Sequence, residues 1–438
     1  MFKILRSREA TDYFMVTGLI AVSGFPYFMV AQLHFLLLFL FVCFIFLKRS
    51  IVFDSKIMAV VLFFLVVEVL QFLFIKPFEP VMIAGTFIRM FLGYFVISLT
   101  RERFAGYLVN ILYVCSIISF SFFIPSILSH GFFNFFVAKV CPLFDTPFAE
   151  QTGFYTVWPT NILFCFHECV LTEYRNPGPF WEPGLFAVFL VLALLFNLIR
   201  EQRAGSRVNI VLTLALISTF STAGYLAFFV LIAAYYFVRQ NVAQKALLGI
   251  ILIPAVLGLY FSLDFLSTKI EQNIQMAGTT TSSRFGSALA DLSDFAKSPL
   301  IGWGRGVMRF GGKTFSFFSE DQHRNNSVTD LLATYGLFLF LFFFYRYYVS
   351  LKSLCIRSGM NVNFAAYALA VVLMLGFSQS IFLKPFFYSL LFIGYMPIAQ
   401  VAGAVKAGSA TSRYLILKTG SNGSYNRKLN APKRGHGY

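Results

Sequence analysis

Apolar residues fall along this chain in long runs that repeat from end to end, many of them close to the length of a bilayer. A helix needs about 20 apolar residues to cross the hydrocarbon core. The runs predict membrane-spanning helices at 13–25, 28–47, 57–75, 81–99, 105–125, 183–199, 208–222, 224–238, 246–262, 328–345, 364–381 and 386–403. Gly24 and Pro26 leave only a short hairpin between the first two. The fold class predicted is all-α: a polytopic integral membrane helix bundle of about 12 transmembrane helices with two larger loops.

Composition agrees. Hydrophobic residues make up 58% of the chain, Phe alone supplies 58 positions, and only 12% are charged; mean hydropathy is +0.74. No soluble core needs this much apolar surface, and no long soluble domain is visible. The six cysteines are scattered without a C-x-x-C pair, so neither a zinc module nor a redox motif is indicated. Lys3, Arg6 and Arg8 precede the first run with no small-residue cleavage site, which reads as a retained helix rather than a signal peptide.

Charge then orients the bundle. The segments 1–12, 48–56, 100–104, 200–207, 239–245, 346–363 and 404–438 together carry 23 basic and 5 acidic residues. By the positive-inside rule they face the cytoplasm, with both termini. The net charge of +16 is therefore topological, and no nucleic-acid partner is implied. The expected organisation is a transmembrane domain over 1–404, with periplasmic loops 126–182 and 263–327, followed by a basic, disordered cytoplasmic tail over 405–438.

Functional residues favour loops on a rigid scaffold, which points to the two long loops. The first closes with Glu173-Tyr-Arg-Asn-Pro-Gly-Pro-Phe-Trp-Glu-Pro-Gly184, a polar knot directly before an apolar run. Glu182 and Pro183 stand where a helix start favours a carboxylate and tolerates proline. A simple helix cap is the alternative reading of Glu182, but it leaves Arg175 unexplained. In the second loop Phe285, Leu289, Leu292 and Phe295 or Ala296 recur at helical spacing, with Asp291 and Asp294 on the other side. Arg284 opens that helix, where the macrodipole disfavours a cation unless an anion is bound there. The glycine-rich turn from Ser298 to Gly306 is able to approach a ligand closely.

Other groups carry weaker signals. Cys165, His167, Glu168 and Cys169 lack a second ligand cluster to complete a metal site. Cys141 with Cys165 or Cys169 is the pairing open to a disulfide in an oxidising compartment. Glu68 and Arg89 sit at similar depth in adjacent spans, either as a buried ion pair or as lining of a functional cavity.

Read together, Arg175-Asn-Pro-Gly-Pro-Phe-Trp-Glu-Pro-Gly184, Ser218-Thr-Phe-Ser-Thr-Ala-Gly224, Ser283-Arg284, Lys297-Ser-Pro-Leu-Ile-Gly-Trp-Gly304 and Asn325-Asn-Ser-Val-Thr-Asp-Leu-Leu-Ala-Thr-Tyr-Gly336 resemble the O-antigen polymerase and O-antigen ligase superfamily of bacterial envelope proteins. The resemblance covers about residues 170–345. In place of the family's His-Asn pair this chain has Asn325-Asn326, with His323 two residues earlier.

The resemblance implies a glycosyltransferase of the bacterial inner membrane that uses undecaprenyl-diphosphate-linked glycans. It implies no metal and no other cofactor. Expected partners are membrane lipids, chain-length regulators and flippase proteins. Arg175 and Arg284 would then hold the diphosphate, and Glu182 or His323 would be the general base. Arg89, Glu68, Trp303 and Asn326 are supporting candidates. The expected activity is repeat-unit polymerisation. The alternatives are a ligase or related transferase to lipid A core or protein, and, in another class, a transporter or flippase of lipid-linked sugars.

Overall fold

The computed structural model describes residues 7–30, 32–75, 80–144, 158–167, 174–240, 284–305 and 325–395. Among these the chain is helical and forms no strand; one isolated bridge joins Thr160 and Cys165. The helices are α1 (Ser7–Gly24), α2 (Pro26–Val30), α3 (Gln32–Lys48), α4 (Ser55–Phe74), α5 (Pro80–Thr100), α6 (Phe104–Leu128), α7 (His130–Phe135), α8 (Pro183–Glu201), α9 (Arg207–Ser218), α10 (Thr222–Phe237), α11 (Arg284–Lys297), α12 (Ser327–Arg357), α13 (Phe364–Ser378) and α14 (Pro385–Leu390).

Among the described residues, four helical stretches are long and apolar enough to cross a membrane: Ile57–Phe74, Pro80–Leu128, Pro183–Glu201 and Ser327–Arg357. The second is α5 and α6 joined through the 3-10 turn Arg101–Arg103, where Arg101 takes a left-handed φ of 49°. Shorter apolar helices surround them. The apolar helices mark a membrane-embedded protein. The expected span 246–262 and the basic tail lie outside the described residues. Contacts divide the chain into Met1–Met396 and Pro397–Tyr438.

The centre of the bundle is α8. From Leu185 to Phe196 it has no polar residue, and a helix that is apolar all round belongs in an interior. It is buried against α6, α9, α10 and α13. Pro183 starts it at a position where the missing N–H costs nothing. Gln202, left-handed at φ 53°, ends it.

Two expected spans differ from what forms. In place of 328–345, α12 runs on to Arg357 and is broken once at Gly336, whose φ of 72° and ψ of 179° no helix accommodates. Of the expected span 386–403 only 386–395 is described, as an apolar stretch that opens with α14, a six-residue buried helix. A 3-10 turn, Ile393–Tyr395, follows it, and 396–403 are not described. The short helix fits because Gly93 of α5 lets its backbone approach; a Cβ there would come within 2.7 Å of the Ser389 nitrogen.

Candidate functional site

Asn176 ties the knot before α8 to the scaffold. Its side chain is fully buried. Its Nδ2 donates to Ser119 Oγ of α6 at 3.0 Å and to Ser218 Oγ at 2.9 Å, and its backbone N–H donates to the Ser218 carbonyl at 3.0 Å. Arg175, one residue earlier, donates from Nε to the Thr219 carbonyl at 3.1 Å. The turn between α9 and α10 therefore aims the arginine. Phe180 is buried and stacks on Phe186 and Phe189 of α8 at 5.5 and 4.7 Å. The Trp181 N–H reaches the Gly24 carbonyl at 3.3 Å.

Glu182 occupies the N-cap position of α8 with an extended backbone, yet its side chain makes no cap hydrogen bond. Capping does not account for this carboxylate. It acts instead on two cations, Arg284 and Lys384. Arg284 opens α11 as the sequence predicts, and its Nη1 donates to the Asn325 carbonyl at 3.4 Å. Burial lowers the Arg284 pKa, Glu182 opposes that shift and Arg175 adds to it. The two loop arginines are thus neighbours, and Glu182 acts on the second of them.

Sequence reasoning missed Lys384. It lies in the turn between α13 and α14, with Nζ 3.8 Å from the centre of the Trp181 ring and 3.5 Å from Met29 Sδ. Burial pushes its pKa down to about 7; Glu182 works against the shift and Arg89 with it. The available signal was a single lysine followed by proline in a turn between two apolar runs. Gln379 completes this side, its amide so close over Gly184 that a Cβ there would collide with it.

A second polar group lies within the bundle. Glu68 is 5% exposed and its Oε1 completes no hydrogen bond. The cation acting on it is Arg305, which takes the place of Arg89 in the ion pair that is one of the two readings of these residues. Arg305 comes from the glycine-rich turn and donates from Nη1 to Thr86 Oγ1 of α5 at 2.9 Å. Arg89 faces Arg305 as a like charge, with Tyr335 and Tyr388 beside both. Because Arg89 also acts on Lys384, the two groups adjoin. The physical reason for the exchange is that a loop cation, free in sequence, reaches into the bundle where helix spacing alone suggested a partner.

The remaining candidates have structural roles. Trp303 donates from Nε1 to the Asp294 carbonyl at 2.8 Å and closes the end of α11. Asn326 caps α12, its Oδ1 accepting from Val328 and Thr329 N–H at 3.0 and 3.3 Å. His323, Glu168 and Cys169 lie outside the described residues. Cys141 and Cys165 are both buried.

The glycine-rich turn does make a close approach, but to protein. Trp303 and Gly304 N–H donate to the carbonyls of Ala333 and Thr334 at 3.0 and 2.8 Å, and the Leu337 N–H donates to Pro299 at 2.9 Å. Gly302, at φ 68°, presses on Gly336 at the break in α12. Gln71 of α4 binds the Thr334 carbonyl from the other side at 2.8 Å. On α11 the predicted faces form, with the apolar one outward. Phe285, Leu289 and Leu292 are exposed, while Ser287, Asp291 and Asp294 are buried. Asp291 accepts from Thr329 Oγ1 at 2.8 Å and Ser287 from the Asn325 N–H at 3.1 Å.

Arg284 and Lys384 about Glu182, with Arg175 beside Arg284, suit a polyanion such as a diphosphate, with a carboxylate at hand to take a proton. No protein-family model and no curated protein matches this chain.

Proposed function

We propose that the chain is a metal-independent glycosyltransferase of the O-antigen polymerase type, acting on glycans linked to undecaprenyl diphosphate. The observation that supports this most is the gathering of Arg284 and Lys384 about Glu182 at the start of α8, with Arg175 beside Arg284. In this reading twelve helices span the bacterial inner membrane, both termini are cytoplasmic, and the site opens to the periplasm.

The hydroxyl of an acceptor repeat unit attacks the anomeric carbon of the donor glycan. The bond from that carbon to the diphosphate oxygen breaks, and its electron pair leaves on the diphosphate. Arginines and a lysine neutralise that charge, as oriented donors do in oxyanion stabilisation. Glu182 takes the hydroxyl proton, and His323 is the other candidate for that role. Chain-length regulators and flippase proteins are the partners this reading expects.

The test is the glycan pattern of a strain without this chain. Lipid A core carrying a single repeat unit supports polymerisation. Unligated long polymer on its lipid carrier would make the chain a ligase. A normal ladder with blocked precursor crossing would make it a flippase. In membranes, Arg175→Ala and Arg284→Ala should each slow elongation roughly a hundredfold, about 3 kcal/mol of lost charge-assisted contact. Lysine should rescue poorly, since a point charge cannot supply the two-pronged contact of a guanidinium.

A further inference from the structure

We propose that an apolar groove along α1 holds the hydrocarbon tail of the lipid diphosphate whose head reaches the cation group, an inference that rests on the reading above. The groove has a cavity volume of about 980 Å³, near the top of the ~300–1,000 Å³ range of ligand pockets. Helices α1, α3 and α6 wall it, and Ile162, Leu163 and Pro179 close its top. Its lining is almost wholly apolar, with aromatic rings from Phe14, Phe25, Phe28 and Phe41.

Three features point to a tail rather than to a closed ligand pocket. The first is length. The groove follows α1 from Tyr13 to Phe25, which at 1.5 Å per residue is about 18 Å, well into a hydrocarbon core about 30 Å thick. At the Tyr13 end Asn110 Nδ2 donates to Tyr13 Oη at 2.7 Å and forms a polar stop.

The second is access. Phe14, Leu37 and Val114 are 57%, 54% and 51% exposed, so the groove is open sideways and a chain enters it from the bilayer. The third is continuity. Pro179 at the top of the groove is followed in sequence by Phe180, Trp181 and Glu182, and Trp181 carries Lys384 on its ring. A head group leaving the groove there meets the cations directly. One end therefore selects for hydrocarbon and the other for phosphate charge.

Full-length protein in nanodiscs, treated with a diazirine-bearing polyprenyl diphosphate and mapped by peptide mass spectrometry, tests this. Crosslinks should fall on α1 and α6 and be competed away by unlabelled polyprenyl diphosphate. Val114→Trp, at an exposed wall position, should weaken capture about tenfold without lowering the melting temperature. A diazirine phosphatidylglycerol should label the same peptides only without competition by the polyprenyl lipid. Equal, uncompeted labelling by both lipids means ordinary bilayer lipid fills the groove, and the proposal is overturned. So does wild-type labelling that avoids α1 and α6, an outcome that does not depend on how the variant folds. Competed labelling of α1 and α6 by a protein that elongates no glycan keeps the groove and removes the transferase reading. Normal elongation by Val114→Trp with unchanged capture does the reverse.

Discussion

Arg175 and Arg284 stood out as residues because each breaks a local rule: an arginine that no cap explains, another at a helix start that repels it; Glu182 stood out only by its place in the same knot. Lys384 breaks no such rule, and only the packing of the turn before α14 against Trp181 shows its place. Its lowered pKa, about 7, gives a signed prediction. The side chain is charged below that value and neutral above it, and a bound diphosphate restores the charge. Binding at about pH 8 should therefore take up a proton, and at about pH 6 should not. Calorimetry in buffers of different ionisation heat reads this directly. The buffer dependence should disappear in Lys384→Met, and its absence from the wild type would remove Lys384 from the site. The unfolded lysine titrates near 10.4, so between about pH 7 and 10 the unfolded state binds more protons and ligand-free stability rises with pH. Glu182→Gln should cost about 10²–10⁴ in elongation rate and flatten the acidic limb of the pH profile. A persisting limb would pass the role of base to His323.

At the scale of elements, the existence of α4, α5, α6, α8 and α13 followed from apolar run length alone. What run length could not show is where a helix yields to its neighbours. Gly336 breaks α12 because the backbone of the turn at Gly302 occupies the space a Cβ would need. That contact joins residues more than thirty positions apart, and no local pattern encodes it. The outward apolar face of α11 has a similar origin: spacing shows which residues share a face, but the polar face is buried because Asp291 and Ser287 engage Thr329 and Asn325 near the start of α12. Gly336→Ala should lower stability by about 1–3 kcal/mol, since its backbone region is nearly glycine-only. It should also slacken Arg305, which hangs from the same seam. A detergent melting curve unchanged by the substitution would show that the break is tolerant. Asn176→Ala should cost a similar ~1–3 kcal/mol, from buried donors and acceptors left unmet. It should also disable Arg175, which it does not touch.

For the whole molecule, the proposed orientation places the basic segments inside, and it is testable at two described positions. In a background with native cysteines replaced, Lys297→Cys should react with an impermeant maleimide in intact cells. Gly205→Cys, an exposed position with open space around it, should react only after lysis. The opposite pattern would invert the bundle and put the site in the cytoplasm. The site itself draws on residues from position 175 to position 384, so its parts were legible singly while their meeting was not.

The cation on Trp181 has a further consequence, which is optical. The chain has three tryptophans. Trp158 stacks on Trp181 at 6.2 Å, and Trp303 is held by the end of α11. A positive charge 3.8 Å above an indole ring perturbs its excited state, so the emission of Trp181 reports whether Lys384 carries a proton. The molecule thus contains its own fluorophore at the mouth of the site, and a titration without any added dye should follow both pH and ligand. Trp181→Phe would remove that signal and leave only the light of Trp158 and Trp303.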